Sequence, residues 1–148
     1  MTAVSENRGI PIERLAVRRD SMNEAVPDGC VTGYAPLIAG LTLPDENDRH
    51  VLAAAIRCGA SAIVTFNEAD FPSEVLAQFG IHTRHPDTFI MEVDGVDTGT
   101  LVEAARNDLA HYQNPKLSPD EYIQGLQDCG LRTVAEYLQK TKVLLLAG

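Results

Sequence analysis

The stretch from Pro44 to Phe66 constrains this chain more than any other. Pro44-Asp45-Glu46-Asn47-Asp48 places capping and anionic side chains directly ahead of Val51-Leu52-Ala53-Ala54-Ala55-Ile56, and Gly59 follows. Side-chain oxygens satisfy free N–H groups at a helix start, anions suit the positive end of its dipole, and glycine adopts the left-handed turn that ends a helix. The pattern predicts a buried helix over residues 47–58. Ala62-Ile63-Val64-Thr65-Phe66 then reads as a fully buried strand, being apolar and β-branched over a strand's length.

The neighbouring segments repeat that alternation. Pro11 with Ile12, Leu15, Ala16 and Met22 predicts a helix over 11–25, which Pro27-Asp28-Gly29 ends. Cys30-Val31-Thr32 is a short strand candidate, and residues 34–41 suit a brief helix or turn. Ser73 is placed to cap a helix through Gln78, with Gly80 as its stop. Ile81-His82-Thr83 reads as a strand, and Pro86 opens a helix through Glu92. Helices alternating with strands imply an α/β fold with a parallel sheet, because parallel neighbours need a crossover. From Asp97 the pattern becomes wholly helical. Leu101, Ala104, Ala105, Leu109 and Tyr112 share a helical face, Ser118-Pro119-Asp120-Glu121 starts a second helix ending at Gly130, and a third runs from Thr133 to about Leu145. The expected organisation is an α/β unit over residues 1–95 and a three-helix extension over 96–148.

Charge limits the possible partners. Twelve basic against 21 acidic side chains give a net charge of −9, which argues against a general nucleic-acid coat or an anionic-membrane binder. Aromatics make up only 5% and tryptophan is absent, so stacking platforms for single-stranded nucleic acid are poorly supplied. Any nucleic-acid chemistry must therefore be local. Arg8, Arg14, Arg18 and Arg19 fall close together, a fork-shaped donor set suited to phosphate, although a solvated helix face explains them as well. Cys30, Cys58 and Cys129 lack any Cys-x-x-Cys spacing and are expected to be buried thiols. The apolar run Val143 to Ala147 is too short to span a bilayer, and a cytoplasmic protein is expected.

The polar residues that carry chemistry gather where loops meet these elements. Asp45 and Asp48 precede the alanine-rich helix, and Asn67 and Asp70 follow the strand, which is where ligands bind in open parallel sheets. Hard divalent cations such as Mg²⁺ or Mn²⁺ take oxygen ligands, so a carboxylate cluster there suits metal-assisted attack on a phosphodiester. The plainer alternative makes Asp45 and Asp48 helix caps and Asn67 and Asp70 turn formers. His50, on the first helical turn, suits a packing or phosphate-facing role more than that of a general base. His82, His85 and His111 show no ligand spacing, and neither a nucleophile elbow nor a glycine-rich phosphate loop is present.

Taken together, Leu43-Pro44-Asp45-Glu46-Asn47-Asp48-Arg49-His50-Val51, Gly59-Ala60, Ile63-Val64-Thr65-Phe66-Asn67 and Asp70-Phe71-Pro72 resemble the second half of a PIN domain, the metal-dependent nuclease fold of VapC-type toxins in toxin–antitoxin pairs. Upstream the resemblance extends through Glu13-Arg14-Leu15 and Val31-Thr32-Gly33-Tyr34. Downstream it runs through His85-Pro86-Asp87-Thr88-Phe89 and Asn114-Pro115-Lys116-Leu117-Ser118, like the helical tail of one branch of the family. The resemblance implies a Mg²⁺- or Mn²⁺-dependent endoribonuclease. Asp48 and Asp70 would be catalytic metal ligands with Asn67 beside them, Asp45 and Thr65 would support them, and Arg14, Arg18, Arg49, His50 and Asn67 would contact RNA. An antitoxin and a second copy of the chain are the implied protein partners. Family members begin with a strand ending in Asp and a helix bearing Glu, and Met1-Thr2-Ala3-Val4 is not preceded by these, while Glu6, Glu13 and Glu24 stand in a different context. The expectation is therefore a PIN-like sheet incomplete at its N-terminus, with metal weakly bound and activity impaired. The alternative is a non-catalytic relic acting by protein–protein association.

Overall fold

The computed structural model describes residues 12–94 and 99–146, the side chains of Arg14, Arg18, Asp94 and Leu146 aside. Its first half is α/β. Helix α1 (Ile12–Ala25) is followed by the single turn α2 (Ala35–Ile38), a 3₁₀ turn at Glu46–Asp48, α3 (Arg49–Cys58) and strand β1 (Ala62–Val64). A second 3₁₀ turn (Glu68–Asp70), the short α4 (Ser73–Leu76) and strand β2 (His82–Arg84) come next. The two strands pair in parallel, with Ala62 opposite His82 and Val64 opposite Arg84. This is the arrangement that the helix-then-strand pattern predicts.

Helix α3 forms where its caps dictate. Asp45 accepts a hydrogen bond from the Asn47 backbone N–H at 2.8 Å and so opens the 3₁₀ turn. Gly59 closes the helix at φ 68°, a left-handed conformation that a side chain would strain. Leu52 and Ala53 are fully buried, and with Leu41, Leu43, Ile63, Phe71 and Leu76 they form the first core. Burying a side chain such as Leu52 stabilises a fold by roughly 1.5–3 kcal/mol.

Several expectations require correction. Cys30-Val31-Thr32 is irregular, because a strand needs backbone partners and no strand lies beside this segment among the described residues. Strand β1 is not fully buried. Ile63 faces α3 and the core, whereas Val64 and Phe66, on the opposite face of the pleat, are 43% and 57% exposed. All three cysteines are exposed, two of them at helix ends, where Cys58 closes α3 and Cys129 follows Asp128. Ser73 is the first helical residue of α4 rather than its cap, which is Pro72.

The second half is helical: α5 (Pro86–Asp94), α6 (Thr100–His111), α7 (Pro119–Asp128), α8 (Arg132–Lys140) and α9 (Lys142–Leu146). Ser118 and Glu121 form the reciprocal capping box that their spacing suggests, with Glu121 Oε2 accepting from the Ser118 N–H at 2.8 Å. The third expected helix is interrupted at Thr141, whose hydroxyl donates to the Tyr137 carbonyl at 3.0 Å and competes for a backbone acceptor. Val102, Tyr122, Ile123, Val134, Leu138 and Leu145 make the second core, against which Ile90 and Met91 of α5 pack.

Helix α5 thus belongs by packing to the second core, although it follows β2 after a single residue. Asp87 in its first turn fixes the connection. Its carboxylate accepts from the backbone N–H groups of Thr133 at 2.8 Å and Val134 at 2.9 Å, at the start of α8, where Leu131 offers no side-chain cap. Burial alone would push this carboxyl up. The hydrogen bonds from Val134 and Thr133, aided by the nearby His85 ring, outweigh burial and hold it below the usual carboxylate range. Asp87→Ala should therefore lower stability by about 1–3 kcal/mol in urea or thermal unfolding, because it leaves the buried Val134 N–H and the part-buried Thr133 N–H unpaired. A carboxylate with a depressed folded-state pKa stabilises above its unfolded value and ceases to do so as pH falls through its folded value. The gap between the native chain and Asp87→Asn should accordingly narrow on acidification below about pH 4.

Candidate functional site

Asp48 and Asp70 belong to different loops, yet the fold brings their carboxyl groups within hydrogen-bonding reach of each other. Asp48 ends the 3₁₀ turn that leads into α3, and Asp70 ends the 3₁₀ turn that follows β1. Each loop is anchored by packing, the first through Leu43 and Leu52 and the second through buried Phe71. Ordinary core formation on either side of the strand therefore sets two like charges together. Burial pushes the Asp48 carboxyl up, and the charges of Asp45 and Asp70 push it further, while His50 opposes them.

The surrounding polar groups hold this pair in place. The Asn67 side-chain amide donates to Asp70 Oδ2, and the Asn67 backbone N–H donates to Thr65 Oγ1 at 3.0 Å, so Thr65 fixes the loop that carries both residues. His50 is exposed, with Nδ1 beside the Asn47 carbonyl. Arg49 is engaged elsewhere, its guanidinium 2.9 Å from Glu46 and its Nε donating to the Glu46 carbonyl. The side chains of Arg14 and Arg18 lie outside the described residues. The structure thus gathers Asp45, Asp48, Asp70, Asn67, Thr65 and His50 at one rim and places Arg49 in an ion pair.

The donor set suits a hard divalent cation, which takes carboxylate and amide oxygens and commonly keeps several waters when only one or two carboxylates bind it. Among the described residues, no three His, Cys, Asp or Glu side chains converge closely enough to enclose a metal. The rim offers two mutually repelling carboxylates and a neighbouring amide, the partial shell of such an ion. Two residues to which the sequence gave no site role also matter structurally: Asp87, whose role depends on a helix start 46 residues away, and Phe66, an exposed ring just beyond β1.

A family model, the VapC50 C-terminal domain, matches residues 86–140, so its match opens at the first residue of α5. A relative from Mycobacterium tuberculosis named "Putative ribonuclease VapC50" is 39% identical over 139 residues, covering 91% of this chain and 79% of that protein. No solved structure matches the chain. The chain belongs to the VapC-type family of PIN-domain proteins. Among the described residues no helix is long and apolar enough to cross a membrane.

Because the native state holds Asp48 protonated to a higher pH than the unfolded chain does, this residue erodes stability as pH rises through its range. Asp48→Asn should therefore raise the melting temperature at neutral pH, by about 1–3 °C for a part-exposed charge. The gain should fade at low pH, where the native carboxyl is already neutral. Differential scanning calorimetry across pH 4–8 measures it.

Proposed function

We propose that this chain is a divalent-metal-dependent endoribonuclease, the toxin member of a toxin–antitoxin pair, with Asp48 and Asp70 as its metal-binding carboxylates. The observation that carries this reading is their convergence from two separate loops at the carboxyl end of β1, beside Asn67. Structural caps have no reason to meet in this way, since like charges at close range destabilise a fold. A bound Mg²⁺ or Mn²⁺ would supply an activated water and neutralise charge on the phosphate. Asn67 orients Asp70, Thr65 orients Asn67, and His50 faces the phosphate with its outer ring nitrogen. Support also comes from the ribonuclease name of the Mycobacterium tuberculosis relative. The fold we propose is a PIN-like α/β unit followed by a helical extension.

Two carboxylates make a weak metal site, so the 148-residue polypeptide by itself should cleave RNA slowly. With Mn²⁺ or Mg²⁺ supplied, the residual cleavage should require both acids and fall by roughly 100-fold or more in Asp48→Asn or Asp70→Asn. Cleavage that survives both changes together would overturn the site assignment.

One observation favours the second reading, in which the protein acts by association. Val143 and Leu144 on α9 are 78% and 55% exposed, an apolar pair suited to an antitoxin or to a second copy in a homodimer. Leu145, the third residue of that run, instead packs into the second core. Light scattering at micromolar concentration should report a dimer that dissociates in Val143→Glu/Leu144→Glu. A monomer, with no cleavage under any metal condition, would count against both readings.

A further inference from the structure

We infer that Phe66, with the His85 edge behind it and the Gly130 turn alongside, is a single-nucleobase platform through which the α7–α8 corner forms one wall of the RNA site. The inference rests on the ribonuclease reading for its substrate class and deepens it by assigning the helical extension a part in binding. Phe66 lies two residues beyond β1 and His85 one residue beyond β2, so both stand at the carboxyl end of the parallel sheet. Their rings meet edge-on, with centroids 5.3 Å apart and planes at 87°. His85 is held in turn, since its Nδ1 accepts from the Asp87 backbone N–H at 3.2 Å. The Phe66 ring remains 57% exposed although it is braced on two sides.

The second brace comes from the extension. Gly130, in the turn between α7 and α8, has φ +92°, and a Cβ built on it would lie 3.4 Å from Phe66 Cε1. The positive φ favours glycine at this turn, and the corner lies alongside the ring at ordinary van der Waals range. Arg132 follows two residues later at the exposed start of α8. An exposed aromatic ring backed by a second ring, with a cation two residues past the neighbouring turn, is a combination that can receive an unpaired base and its phosphate, and it tolerates any base because every base has a π face. Asn67 follows Phe66 directly, and consecutive Cα atoms lie about 3.8 Å apart. A base stacked on Phe66 would thus place its backbone next to the Asn67–Asp70 rim. In a chain of net charge −9 with few aromatics, this is the local exception that nucleic-acid binding requires.

The test is fluorescence titration of a short single-stranded RNA bearing one 2-aminopurine, using the full chain in EDTA so that binding is read without cleavage. Binding should quench the fluorophore. Phe66→Ala should weaken affinity about tenfold and abolish the quench, whereas Phe66→Trp retains both. Arg132→Ala should lower the slope of log affinity against log salt by about one contact. Phe66→Leu keeps apolar packing without a π face and should behave like Phe66→Ala, which serves if the alanine variant fails to fold. Unchanged affinity and quench in a folded Phe66→Leu variant would overturn the inference, as would absence of RNA binding by the native chain. A Phe66 variant that alters only sedimentation would also overturn it, marking the ring as a protein contact. RNA binding that depends on Phe66 in a chain that never cleaves leaves this inference standing and removes only the nuclease reading.

Discussion

Both halves of the molecule depend on the carboxylate of Asp87. The α/β unit and the helical extension have separate cores, and α5 connects them by following β2 almost at once while packing on α8. Packing of α5 alone would leave the start of α8 with unpaired N–H groups inside the protein. The Asp87 side chain supplies the cap that Leu131 does not, so the helix dipole of α8 and the anion on α5 hold each other. The placement of Gly130 near Phe66 follows from that junction.

The acidic rim obeys the opposite logic. Asp87 is a buried anion whose partners repay its desolvation, and its pKa is lowered; Asp48 is crowded by two other carboxylates, and its pKa is raised. Networks that serve stability satisfy their charges, whereas sites that serve binding leave them poised for an absent partner. The contrast between two aspartates in one small protein separates an internal fastening from the site we propose.

The extension gains a purpose in this arrangement. A set of helices with its own core needs no contact with the strand ends to be stable, yet its tightest turn lies against an exposed ring there. The contact sets the helical unit beside Phe66 at the end of β1.

Helices and caps were legible in the linear order of residues because their causes are local. The acidic turn before α3, the left-handed Gly59 and the Ser118–Glu121 box each act within a few residues, and the alternation of helix and strand implied parallel pairing. The acids Asp48 and Asp70 could be picked out as residue types in suggestive places, but their meeting could not, since it depends on α3 and β1 packing around Leu52 and Ile63. Exposure was misjudged wherever it depended on a neighbour. Val64, Phe66, Cys58 and Cys129 look like core residues by composition and lie outside because one face of the sheet and the ends of α3 and α7 are uncovered among the described residues, and Cys30 is exposed in an irregular segment. Asp87 gave no local sign of its role, for a cap supplied 46 residues away depends on tertiary packing alone. Short-range hydrogen bonding and periodicity are written in sequence, while burial and long-range charge contacts arise only when separate elements occupy the same space.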